Sequence, residues 1–111
     1  MPILSVTPAG LPEIERPAPE KVIAGDPVFT TWNLVEEDGL YAGIWESTPG
    51  TWRISYDEWE YCRLICGVSI LTEEGGASVT LRAGDSFVIP RGFRGTWQVV
   101  ETTRKDYVIR L

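Results

Sequence analysis

From Phe29 onward the chain is a succession of short runs in which apolar and polar positions interleave, each closed by a turn signal. Phe29 to Leu34 is rich in aromatic and β-branched residues and gives way to the acidic turn Glu36-Glu37-Asp38-Gly39. Leu40 to Ser47 follows and stops at Thr48-Pro49-Gly50, and Thr51 to Tyr56 stops at Asp57-Glu58. Glu60 to Leu71 is long enough for one bent strand or for two, with Gly67 at the bend. Glu73-Glu74-Gly75-Gly76 leads into Ser78 to Leu81, and Ala83-Gly84-Asp85 into Ser86 to Ile89. Beyond Pro90-Arg91-Gly92 lie two further runs, Gly95 to Glu101 and Tyr107 to Leu111. Short strands at regular spacing, punctuated by glycine and proline and without a helical period, predict an all-β sandwich or barrel over residues 28–111.

Residues 1–27 have a different grain. Six of the eight prolines fall there, which rules out a long helix or a central strand. The expectation is an extended N-terminal arm, laid over the barrel or over a second copy of the chain. A mobile tail is the plainer alternative for Met1 to Gly10, against which stand the apolar Ile3, Leu4 and Val6.

A length of 111 residues allows one domain and one core. A core that small gains from burying a subunit interface, so a homodimer is expected. Sixteen acids against ten bases give a net charge of -6, which excludes nucleic acid and acidic membranes as natural partners. No apolar run approaches the roughly 20 residues of a membrane span. The start lacks a basic region followed by an apolar stretch, and the cytoplasm is the expected compartment. On one strand, Cys62 and Cys66 would lie about 13 Å apart, beyond the ~7 Å limit for a disulfide, so free thiols are expected.

Two spacings carry more information. Glu60 is followed by six residues and Gly67, and Gly84 by five residues, Pro90, one residue and Gly92. In this order, with a glycine turn between them, the two segments resemble the paired motifs of the cupin superfamily. Gly43-Ile-Trp-Glu-Ser-Thr-Pro-Gly50 and the segment from Gly95 to Ile109 look like the small cupins related to ureidoglycine aminohydrolase. The resemblance runs from Trp32 to the C-terminus and implies a double-stranded β-helix, the cupin jelly-roll barrel. Positive φ angles at Gly67, Gly84 and Gly92 are expected with it.

The resemblance also implies a metal held by three histidines and the motif glutamate. Only Glu60 is present, because the chain contains no histidine. The histidine positions fall on Ile54, Tyr56 and Gly95, so no cofactor is expected. A divalent manganese, iron, nickel or zinc ion on Glu60, Tyr56 and Cys62 is the alternative. Strand alternation places Cys62 on the same face as Glu60, Trp97 on that of Gly95, and Trp52 on that of Ile54 and Tyr56. Together they predict a ligand pocket of Trp52, Ile54, Tyr56, Glu60, Cys62, Gly95 and Trp97, with Gly95 leaving space. Glu60 is the candidate general acid or base. Each residue has a packing role open to it as well: Tyr56 and Trp97 as barrel filling, Cys62 as a small buried apolar group, Glu60 as a hydrogen-bond partner of Tyr56. Arg104 and Lys105 read as a solvated turn at the barrel mouth, paired with Glu101 or Asp106.

Three functions follow as expectations. The first is a small-molecule-binding cupin with no catalytic metal. The second is an enzyme on a small nitrogenous metabolite, by analogy with ureidoglycine aminohydrolase. The third is a structural dimer module built on the proline-rich arm.

Overall fold

Nine strands form one curled antiparallel sheet in the computed structural model, which describes residues 2–111. They are β1 (Glu13–Glu15), β2 (Val22–Gly25), β3 (Phe29–Glu37), β4 (Leu40–Ser47), β5 (Gly50–Ser55), β6 (Trp59–Glu73), β7 (Ser78–Arg82), β8 (Ser86–Ile89) and β9 (Arg94–Arg110). The sheet gathers around β6 and β9, which pair along nearly their whole length. On its other side β9 takes β4 against Thr103–Arg110 and β5 against Arg94–Val99. β6 takes β8 and β7 on its two halves. The result is a jelly-roll barrel in which every strand from β3 to β9 turns an alternate set of side chains inward. No helix among the described residues is long and apolar enough to cross a membrane.

The C-terminal region differs from the sequence expectation. Gly95 to Glu101 and Tyr107 to Leu111 are not two strands around a solvated turn; they are the two ends of β9. The polar middle of β9 stays extended because its outward residues meet opposite charges across the ladder. Arg104 pairs with Glu46 at 3.1 Å and Asp106 with Arg63 at 3.0 Å, each directly opposite in register. Thr103, Lys105 and Tyr107 share the parity of Trp97 and Val99 and are all buried, while Glu101 between them is exposed where the β6–β9 register shifts.

Met1, the first residue of the expected arm, lies outside the described residues. In the rest of the N-terminal segment, β1 pairs with β3 and β2 with β5, at the two edges of the sheet. Pro12, Pro17, Pro19 and Pro27 lie outside these short strands, where a missing N–H costs no ladder bond.

The apolar core is Trp52, Leu64, Leu71, Leu81, Ile89, Trp97 and Val99. The Trp97 indole is fully enclosed, yet its Nε1 donates to Ser69 Oγ at 3.1 Å; Ser69 and Thr103 share a hydroxyl hydrogen bond of 2.7 Å, and Thr103 Oγ1 donates to the Glu101 carbonyl. A polar thread therefore crosses the core without an unsatisfied donor.

All three motif glycines have positive φ: Gly67 at +93°, Gly84 at +91° and Gly92 at +84°. Gly67 is the demanding one, because a Cβ there would run into the backbone carbonyl of Thr102 on β9. Around it the β6–β9 register shifts three times between Leu64 and Ser69, and the inward set of β6 changes from even to odd residues.

Gly67→Ala is expected to lower stability by about 3 kcal/mol or more, since strain from the left-handed backbone adds to a backbone clash. Gly84→Ala, with open space beside it, should cost only about 1–2 kcal/mol. Urea unfolding of both variants, with the slope unchanged and the midpoint shifted, checks the order.

Candidate functional site

The barrel interior opens into a cavity of about 310 Å³. Aromatic rings form its walls. Phe29 on β3, Trp45 on β4 and Trp52 on β5 stand with centroids 4.8 to 6.1 Å apart, and Trp97 on β9 meets the Trp45 ring edge-on at 5.3 Å. Glu60 on β6 and Lys105 on β9, both buried, supply charge deep inside it. Glu15, exposed, and Glu58, half-buried, line the cavity from β1 and from the loop before β6.

The charged pair is fully engaged. Lys105 Nζ donates to Glu60 Oε2 at 2.9 Å, and the Tyr56 hydroxyl donates to Glu60 Oε1 at 2.6 Å. The ammonium also sits over two ring faces, 4.5 Å from the Trp97 centroid and 4.6 Å from that of Trp45. Ring quadrupoles and one carboxylate thus replace the water that Lys105 gives up. Burial pulls the Lys105 ammonium down, but its neighbours, the Cys62 sulfur and the Glu60 carboxylate, outweigh that and hold it above its ordinary value. Burial, and then the Glu60 charge, push the Tyr56 hydroxyl well up. Burial lifts the Cys62 thiol to about 12, with Lys105 opposing the rise and Glu60 adding to it. Tyr107 rises likewise to about 12, chiefly through burial, while its hydroxyl donates to Asn33 Oδ1 at 2.8 Å. At neutral pH Cys62 and both tyrosines are uncharged.

Of the residues expected in a pocket, Trp52, Ile54, Tyr56, Glu60 and Trp97 line the cavity. Cys62 does not. It is fully enclosed on β6 beside the Glu60–Lys105 pair, a neutral thiol in the packing; Cys66 on the same strand is exposed, and both thiols are free. Gly95 does not line the cavity either. It pairs with Ile54 on β5 and Glu73 on β6, and a side chain there would strike the Thr72 carbonyl. Its lack of a Cβ lets the backbones of β6 and β9 close up rather than opening the lumen. Lys105 overturns its expected place at the mouth, for it stands at the centre. The alternation from Trp97 through Val99 and Thr103 carries the signal for it, provided the strand is continued through the polar run. Phe29, Trp45 and Tyr107 were also absent from the expected set; each follows from the parity of its strand once the pairing is known.

The donors present do not suit a metal ion. Both Glu60 oxygens already accept hydrogen bonds, one of them from an ammonium group, and Cys62 is held as a thiol. Among the described residues no three histidine, cysteine or acidic side chains come together.

A family model for the EutQ-like cupin domain matches residues 34–107. The chain belongs to this cupin family. Its strands, glycine corners and inward glutamate are accordingly those of a cupin barrel. A protein of unknown function from Pseudomonas syringae pv. tomato, of the DUF861 family, is 29% identical over 90% of this chain, with a TM-score of 0.82. This cupin spans only 44% of the length of that protein. A DUF861 family protein from Thermotoga maritima is 27% identical, over 86% of this chain and 96% of its own, with a TM-score of 0.56. The EutQ protein of Clostridium difficile shares the fold at 23% identity and a TM-score of 0.68, over 76% of this chain and 68% of its own. A comparison with curated proteins finds no match.

Lys105→Met strands the Glu60 carboxylate in an apolar interior and is expected to cost about 3–5 kcal/mol. The double variant Lys105→Met with Glu60→Gln should recover much of that loss, a coupling that a denaturant-unfolding cycle measures. Stability should also fall in alkali. An unfolded Cys62 loses its proton near its ordinary 9.0, and the folded one near 12. In between, the unfolded chain binds fewer protons, so stability is full below pH 9.0 and declines as pH rises toward 12, by about 1.4 kcal/mol per unit for this group. Melting temperatures from pH 7 to 11 should show a plateau and then a slope, shallower in Cys62→Ala.

Proposed function

We propose that this cupin binds a small molecule inside its barrel and does so without a histidine-held metal. The observation that carries the reading is that the lumen is open: Trp52, Tyr56 and Trp97 line a cavity of about 310 Å³ rather than filling it. That volume, aromatic walls and a few fixed polar groups are the ordinary make-up of a small-ligand site. An interior ion pair at the head of such a cavity supports the same reading, because aliphatic side chains of the same volume would serve packing as well. The relatives add the fold and no ligand of their own. A homodimer in the cytoplasm, with no nucleic acid or membrane as partner, completes the proposal; the net charge of -6 supports its last part.

Ile54 is half-buried on the cavity wall, and Ile54→Trp is expected to fill the lumen while leaving the fold in place. A fragment library screened by protein-observed NMR should give hits that shift the indole signals of Trp45, Trp52 and Trp97 and that vanish in Ile54→Trp. Hits that persist unchanged in that variant, or that map only to the outer surface, overturn the proposal.

A further inference from the structure

We infer that the lumen takes a small organic ammonium ion, seated against Phe29, Trp45 and Trp52 with its charge facing Glu15 and Glu58; this rests on the small-molecule reading above and names the ligand class. Three rings with centroids 4.8 to 6.1 Å apart, from three different strands, line one space. The negative face of an aromatic ring attracts a cation, most strongly where water is excluded. The barrel already demonstrates this use of its rings, because the Lys105 ammonium is held 4.5 and 4.6 Å from two indole centroids.

The charges decide the sign of the guest. Three carboxylates and one ammonium line the cavity, Glu15, Glu58 and Glu60 against Lys105, so -3 and +1 leave -2. Glu60 and Lys105 cancel each other at 2.9 Å. Glu15 and Glu58 enter no ion pair among the described residues, so the uncompensated charge is theirs. An anion would have to pass both and then compete with Glu60 for Lys105. A cation meets the opposite sign throughout the approach, and the ion pair beyond it presents no net charge.

The test uses three probes of closely matched shape and different charge: choline, its uncharged isostere 3,3-dimethylbutan-1-ol, and 3,3-dimethylbutyrate. Each is titrated into the full chain, with binding read from the indole NMR signals of Trp45 and Trp52. Choline is expected to bind about tenfold tighter than the alcohol, with the carboxylate weakest. Glu15→Gln with Glu58→Gln should shrink the choline advantage several-fold without moving the alcohol. Tightest binding by the alcohol or by the carboxylate at these indoles overturns the ammonium inference and leaves the pocket standing. Silence from all three probes at millimolar concentration overturns the inference too, and the fragment screen with Ile54→Trp then judges the pocket on its own.

Discussion

The ion pair between Glu60 and Lys105 is the constraint around which this barrel is arranged. Each ion taken alone into such an interior costs several kcal/mol, and the mutual attraction offsets this only when the remaining donors and acceptors are also met. Here they are. Tyr56 satisfies the second carboxylate oxygen, and two indoles cover the ammonium. The neighbouring Cys62 and Tyr107, whose ionisation burial opposes, add no competing charge. A pair of aliphatic side chains of the same volume would serve stability as well or better. What such a substitution cannot supply is a fixed dipole beside an open space.

The positions of the walls follow from that arrangement. Trp45 and Trp97 must present faces to Lys105, which places them on adjoining strands β4 and β9. Trp52 lies opposite Trp97 in the β5–β9 register, and the two indoles lie nearly parallel, 7° apart in plane at 6.2 Å. Phe29 closes the group from β3. Rings thereby surround the ion pair, while Leu64, Leu71, Leu81 and Ile89 complete the same core cluster. The cavity that holds the ion pair lies among the rings.

Much of this is legible in the order of residues. Turn chemistry places the breaks between β3 and β9 within a few residues, and the spacing of Glu60, Gly67, Gly84, Pro90 and Gly92 gives the barrel its family before any coordinate is known. Parity along β5 and β6 likewise puts Trp52, Ile54, Tyr56 and Glu60 on the inner face. Lys105 is hidden for a physical reason. Glu-Thr-Thr-Arg-Lys-Asp has the composition of a solvated turn, and only the cross-strand partners Glu46 and Arg63, far away in sequence, keep it extended. Local propensity is silent about charges that are matched at long range. Gly95 misleads in the opposite sense. A residue without a side chain suggests room, and here two backbones use the room to approach each other.

β9 crosses the whole molecule as one element of 17 residues, and it carries both Trp97 and Lys105 on a single face. Their separation of eight positions is even, and strand geometry makes evenness a requirement. Substitution on the outer face of β9 away from Arg104 and Asp106 leaves that requirement untouched, whereas gain or loss of one residue between them turns the lysine out of the barrel and an arginine or an aspartate in. The changes of register beside Gly67 fall on both strands, one on β6 and two on β9 between Val99 and Arg104, so the even count already contains its own irregularities.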